Sequence, residues 1–204
     1  KKPIQPTPVI GMVGVIDNVK KAVSSGWKNI NDEIWIIGSR DSGLTLGATS
    51  YLEYFHGQIT GRPPSLNLID EKLCQLFIRN GILNNLIISS HDISDGGLAI
   101  ALAEACILSD KGASINLIAD KRIDNLLFSE GGSRIIFSIS HMKKNEWLKF
   151  VSEESKNFTD SIYITKIGTV LQDTLKIKIS DNIICDLKIS SLADKFNNGL
   201  SNNF

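Results

Sequence analysis

The sequence lacks any excess of one charge. Lys and Arg together number 22, Asp and Glu number 22, and the formal net charge is zero. A balanced chain gives no electrostatic handle for nucleic acid or for an anionic membrane. Cysteine is scarce: Cys74, Cys106 and Cys185 stand far apart in apolar runs, with no Cys-x-x-Cys pair. This argues against a zinc cage or a disulfide framework and for buried free thiols in a reducing cytoplasm. No apolar run approaches the ~20 residues that span a bilayer. The lysine-led start has no hydrophobic stretch of the signal-peptide kind after it. There is no internal repeat, no P-loop and no dinucleotide fingerprint. No Ser/His/Asp or Cys/His set is visible, and the aromatics are scattered rather than gathered into a base-stacking platform.

What is there is ordinary for a globular protein: 42% apolar and 22% charged residues in 204. The length allows one full core, or one domain and part of another. Pro3, Pro6 and Pro8 enforce an extended entry, and "VIGMVGVID" (9–17) then reads as a short buried strand. Residues 18–32 are polar and read as a linker. Strands are expected at 33–39, 86–89, 113–117, 134–140 and 161–168. "TLKIKISDNIICDLKI" (174–189) reads as a hairpin, with Leu175, Ile177 and Ile179 inward and Asp181-Asn182 at the turn. Helices are expected at 47–57, 66–81, 97–109, 122–130, 143–155 and 190–197. In the second, Leu66, Ile69, Leu73, Leu76 and Phe77 mark the apolar face and Gly81 the end. Trp147, Leu148 and Val151 mark that of the fifth. Strands alternating with helices, plus one hairpin, predict an α+β domain with a mixed sheet over about 20–204.

Two loops carry candidate chemistry. In "HDISDGGL" a buried strand runs through His91 and Asp92, turns at Ser94-Asp95-Gly96-Gly97 and enters an alanine-rich helix. Such a terminus attracts anions, and Mg²⁺ would reconcile its carboxylates with a phosphate. Equally, Ser94 or Asp95 would serve as a simple N-cap, with the glycines shaping the turn. In "LFSEGGSR" Glu130 and Arg134 flank a Gly-Gly-Ser turn, where Arg134 would fork onto a phosphate, or the loop is a helix C-cap with a surface ion pair. His91 and Asp92 are neighbours in a strand and are expected on opposite faces. His56 and His141 look isolated. The basic loop 60–65 reads as solvated.

Four segments occur in order: "PTPVIGMVGVID", "GATSYLEYFHGQITGRPPSLNL", "SSHDISDGGLAIALAEA" and "LFSEGGSR". Together they resemble the C-terminal part of the synthetase subunit of the phosphoribosylformylglycinamidine synthase family. The wider superfamily includes aminoimidazole ribonucleotide synthetase, selenophosphate synthetase and thiamine-monophosphate kinase. The resemblance implies a longer protein with two N-type and two C-type domains. Residues 1–19 would be the remnant last strand of an N-type domain and 20–204 a C-type domain, a mixed sheet flanked by helices.

The implied enzyme is a cytoplasmic ligase of purine biosynthesis that forms a C–N bond. It converts formylglycinamide ribonucleotide, ATP and glutamine-derived ammonia to formylglycinamidine ribonucleotide, ADP and phosphate. The implied cofactors are ATP and Mg²⁺. The implied partners are the N-type domains, a glutaminase subunit and a small bridging subunit, with no nucleic acid and no membrane. Catalytic residues would lie outside this stretch. Asp92, Asp95, Gly96 and Gly97 would face nucleotide, with Asp92 and Asp95 toward the metal, and Glu130 and Arg134 would face substrate. Gly131-Gly132-Ser133 departs from the family's more frequent Ser-Pro-Gly. The alternatives are another ATP-dependent superfamily member or a purely structural domain.

Overall fold

The computed structural model describes residues 9–40, 44–119 and 122–199. Its centre is strand β1 (Glu33–Ser39), buried at every position. Side chains of a strand alternate between faces. Ile34 and Ile36 therefore enter one core, and Trp35 and Ile37 enter a second. The other strands are β2 (Ile87–Asp92), β3 (Gly112–Leu117), β4 (Arg134–Ile139), β5 (Ile162–Leu171), β6 (Thr174–Ile179) and β7 (Asn182–Lys188). They form one sheet in the order β2-β4-β1-β5-β3-β6-β7. Only β3 and β6 run parallel; all other neighbours are antiparallel. The expected α+β mixed sheet is present.

Six helices complete the described fold: α1 (Ser50–His56), α2 (Leu68–Leu83), α3 (Gly97–Ser109), α4 (Ile123–Phe128), α5 (Lys144–Glu154) and α6 (Ile189–Asn198). Helix α3 packs on one face through Leu98, Ala101, Leu102 and Ala105, joined by Leu127 of α4 and Ile189 of α6. The other face is covered by Cys74, Phe77 and Ile78 of α2 and by Trp147 of α5. The sheet thus lies between two helical layers where β1 and β4 sit. In β6, Leu175, Ile177 and Ile179 are buried as the alternation predicts.

Several expectations are corrected. Residues 1–8 lie outside the described residues, and 9–16 form no strand. Val9, Met12, Val13 and Val15 are each more than nine-tenths exposed. A strand needs a hydrogen-bonded neighbour, and none of the described strands borders this segment. Residues 18–32 are more than a linker. Trp27 is buried and its indole N–H points at Cys106 Sγ, 3.3 Å away. Asp32 is buried as well, accepting from the Asn29 backbone N–H at 2.9 Å.

The buried stripe of α2 is rotated by one residue from the expected one, to Asp70, Cys74, Phe77, Ile78 and Gly81. Leu66 and Ile69 are exposed. The reason is polar. Asp70 turns inward to accept from Ser39 (2.5 Å), Ser161 (2.5 Å) and Thr159 (2.7 Å) hydroxyls. Gly81 does not end α2. It sits inside the helix because a Cβ there would meet the Ile87 side chain, with Cγ1 at 2.8 Å. On α5, Leu148 is exposed whereas Trp147 is fully buried. In the β6–β7 hairpin the turn is Ser180-Asp181, both at positive φ (47° and 69°) as a primed turn requires, one residue earlier than expected.

Candidate functional site

The carboxyl ends of β1, β2 and β3 meet the amino ends of β4 and β5 at one end of the sheet. The register fixes this: Gly38 lies opposite both Arg134 and Tyr163, and Asp92 lies opposite Ile135. Both loops picked out by sequence fall here. After β2 the chain is tied to the β4 start by the Ile93 N–H on Arg134 O at 3.0 Å, and Gly97 N–H closes onto Ser94 O at 3.0 Å. Gly96 and Gly97 both take left-handed φ, 77° and 72°. Gly97 has a second constraint. A Cβ would lie 2.7 Å from the Phe128 carbonyl carbon and 2.8 Å from Leu127 O, so only glycine lets α4 close on α3.

No side chain of the turn caps α3; its N-cap is Gly96. The cap comes from across the loop. One carboxylate oxygen of Glu130, Oε1, accepts from the Gly96 N–H at 2.7 Å and the Ser50 N–H at 2.9 Å. It therefore serves the N-termini of α3 and α1 together. Tyr51 of α1 stacks on Phe128, with ring centroids 4.8 Å apart, on the same side of the joint. Ser94 and Asp95 are exposed. Asp92 is exposed too, with 77% of its side-chain surface open, and its carboxylate comes within 3.5 Å of His91 Nδ1. The contact reaches from the mostly buried imidazole to the exposed carboxylate of its neighbour on edge strand β2. His91 Nε2 contacts Glu104 Oε2 at 3.0 Å.

Arg134 makes no ion pair with Glu130. It is buried, with Nη2 donating to Ser129 O and Nε donating to Gly131 O at 3.4 Å. Burial pushes its pKa down. Its stem lies over Gly38, where a Cβ would be 2.9 Å from Arg134 Cγ and 2.8 Å from the Tyr163 hydroxyl. Beside it opens a cavity of about 490 Å³, lined by Ser39, Arg40, Asn116, Arg134, Tyr163 and Thr165 over an apolar floor that includes Ile36, Leu98 and Ile167. Lys166 borders it but is spent on Glu33 Oε1 at 2.7 Å. None of the described lining residues is acidic.

Sequence reasoning missed Gly38, Arg40 and Tyr163. A lone glycine inside the apolar strand "EIWIIGS" was the available signal, since it marks close approach of another chain segment. Among the described residues no group of three or more His, Cys, Asp and Glu is placed to hold a metal. The two exposed carboxylates, Asp92 and Asp95, fit Mg²⁺ in a more limited way. That ion commonly takes one or two carboxylates, keeps waters and adds substrate phosphate oxygens. No helix of the described residues is long and apolar enough to cross a membrane.

Comparison with known proteins adds three findings. Residues 29–173 match the family model "AIR synthase related protein, C-terminal domain". The chain is 64% identical over 203 residues to phosphoribosylformylglycinamidine synthase subunit PurL of Prochlorococcus marinus strain AS9601, and 44% identical over 209 residues to that of strain SARG. It covers 99% of itself but only 26% of the first relative, so it spans about a quarter of that protein's length. In fold it resembles Thermotoga maritima PurL complexed with FGAR (TM-score 0.66, 17% identity, 86% of this chain and 30% of that one). It also resembles the same protein complexed with ATP (TM-score 0.64, 16% identity, 86% and 28%). A mixed sheet between two helical layers and a glycine turn sealed from the neighbouring loop thus go with a match across most of the chain: it belongs to the family of AIR synthase related proteins, as their C-terminal domain.

Proposed function

We propose that this chain is the second C-type domain of a synthetase that makes formylglycinamidine ribonucleotide from formylglycinamide ribonucleotide, ATP and glutamine-derived ammonia. The observation that carries the reading is 64% identity, over nearly the whole chain, to a subunit named for that synthase. The Thermotoga structures of the same fold, complexed with ATP and with FGAR, support a ligand-facing role for this family of domains. Residues 1–19 then belong to a preceding N-type domain, and a glutaminase and a bridging subunit supply ammonia. Exposed apolar residues at 9–16 are consistent with that placement.

ATP with Mg²⁺ supplies the phosphoryl group that activates the substrate amide. This domain's own residues do quieter work. Gly96 and Gly97 shape the turn that Glu130 closes, Asp92 and Asp95 would hold a phosphate-bound Mg²⁺ through their exposed carboxylates, and Arg134 would face an anion. None of them is placed as general acid, base or nucleophile. The test is a substrate panel on the full-length protein. Amidation of formylglycinamide ribonucleotide supports the reading; phosphorylation of thiamine monophosphate or selenide instead would replace it.

The Glu130 contact favours a second reading, in which the turn only completes an interface. Then Asp92→Asn with Asp95→Asn leaves the full-length enzyme's rate, Mg²⁺ requirement and bound nucleotide unchanged. Under the first reading the half-saturating Mg²⁺ concentration rises severalfold.

A further inference from the structure

We infer that the cleft between residues 19–29 and the start of β2 binds the diphosphate group of a small molecule, at the end of the sheet away from the glycine turn. Such a site goes beyond the function proposed above and does not rest on it.

The start of β2 is the far end of the sheet. Ile87 and Glu33 both lie opposite Ile139, at the end of β4, whereas Gly38 lies opposite Arg134 at its start. Five strand steps separate the two ends, about 17 Å. β2 is an edge strand, and the chain before β1 runs beside it, with the Ser90 N–H donating to Ser24 O at 3.1 Å. Here opens a cleft of about 330 Å³, lined by Lys20, Lys21, Lys28 and Asn85.

Positive charge gathers in it without a counter-charge. None of the described lining residues is acidic. None of Lys20, Lys21, Lys28 and the adjacent Lys143 forms an ion pair among the described residues. Part of the charge has a local use. Helix α2 has no basic residue in its last turn. Lys21 Nζ donates to Leu83 O at 2.7 Å and to Asn85 Oδ1 at 3.1 Å, and Lys143 Nζ donates to Asn85 O at 3.2 Å. A helix C-terminus carries only about half a negative charge, so two ammonium groups overcompensate it. Lys20 and Lys28 add two more, and Lys28 Nζ meets the neutral Ser24 Oγ at 2.7 Å. Roughly three positive charges stay unbalanced. The whole chain has equal numbers of acidic and basic residues, so this local excess does not follow from composition. A monoanion would leave most of the excess unmatched. A diphosphate carries charge on both phosphates and reaches several lysines, which bind phosphate as separate point charges. Val23, Ile82 and Ile88 offer apolar surface to the group that bears it, and the volume falls within the range of small-ligand clefts.

The test titrates inorganic pyrophosphate, ADP and adenosine, without Mg²⁺, into the 204-residue chain, read by calorimetry and by amide chemical shifts. Pyrophosphate and ADP should both saturate with millimolar or tighter affinity, adenosine should not bind, and shifts should centre on Val23, Asn85 and Ile88. ADP tighter than pyrophosphate supports a nucleotide as the source of the diphosphate; equal affinities support the inorganic anion. Lys20→Gln with Lys28→Gln should weaken binding by about tenfold or more. Both side chains are exposed, so the melting temperature should hold. If the double variant does not fold, Lys20→Gln alone and the shift map decide. Raising salt should weaken binding severalfold. Shifts that grow without saturating up to about 10 mM would show diffuse screening and overturn the site. So would shifts centred on Gly38 and Gly96 instead, adenosine binding as tightly as ADP, or an affinity that the lysine variants leave unchanged.

Discussion

The two glycines of the α3 turn share a backbone conformation but not a role. A left-handed φ costs an L-residue about 1–2 kcal/mol, and both Gly96→Ala and Gly97→Ala incur it. At Gly97 the new Cβ also meets backbone of α4, which has no rotamer to yield, adding about 1–3 kcal/mol of overpacking. At Gly96 it meets the Ile100 side chain, whose Cγ1 can turn away, leaving the Ile100 Cβ at 2.8 Å as the contact fixed to the helix backbone. Urea denaturation should therefore show Gly97→Ala clearly less stable than Gly96→Ala; equal losses would contradict the close approach. Asp70 offers a second residue-scale test. Burial alone would raise its pKa, but the Ser161, Ser39 and Thr159 hydroxyls outweigh burial and hold it below the usual value. A depressed folded-state pKa stabilises fully above the unfolded value near 4 and is lost as pH falls toward the folded one. Stability of the wild type should decline below about pH 4, and Asp70→Asn should be less stable at pH 7 by about 2 kcal/mol with a flatter acid limb. A mutant with the wild-type acid limb would remove Asp70 as a cause. Neither partner set was legible in the sequence, because Ser39 and Ser161 meet Asp70 only after the sheet forms. The glycines were legible as a turn, since positive φ is a local demand.

At the scale of elements, periodicity located every strand from 33 to 188 and all six helices, with boundaries off by a few residues. It failed where tertiary partners override a local pattern. The 18–32 segment is polar enough to pass for a linker, yet Trp27 enters the α3 core. Removing residues 1–17 should leave the melting temperature within about 2 °C, whereas Trp27→Ala should cost about 3–5 kcal/mol. If the mutant is as stable as the wild type, the segment is a linker after all. Helices α1 and α3 were foreseen, but not the carboxylate that joins them. Glu130→Ala removes the acceptor of two N–H groups, one exposed and one part-buried, at about 0.5–1.5 kcal/mol each. Hydrogen exchange should quicken selectively in 50–56 and 96–100. Uniform or unchanged exchange would show that Glu130 does not couple the two termini.

At the scale of the whole molecule, two cores on either side of one sheet explain why its thiols are quiet. Burial pushes Cys74 and Cys106 up to about 12. Cys185 is only half-buried, on edge strand β7, and burial and the neighbouring Asp186 raise its thiol too. Under native conditions at pH 8 a thiol reagent followed by mass spectrometry should modify Cys185 first; prior labelling of Cys106 would contradict the packing of Trp27 on it. The fold and family were readable because the turn, the alanine-rich helix and the Glu-to-Arg loop stand in a fixed order. The cavity was not, because its walls come from six separate elements. The central claim is that this domain shapes and faces a site whose chemistry resides elsewhere in a longer protein. It is tested most directly by measuring ADP formed from ATP with formylglycinamide ribonucleotide and ammonia, side by side for the 204-residue chain and for the full-length protein that contains it. Substrate-dependent ADP from the full-length protein and none from the chain alone is the predicted result. Turnover by the isolated chain, or none by the full-length protein, would contradict it.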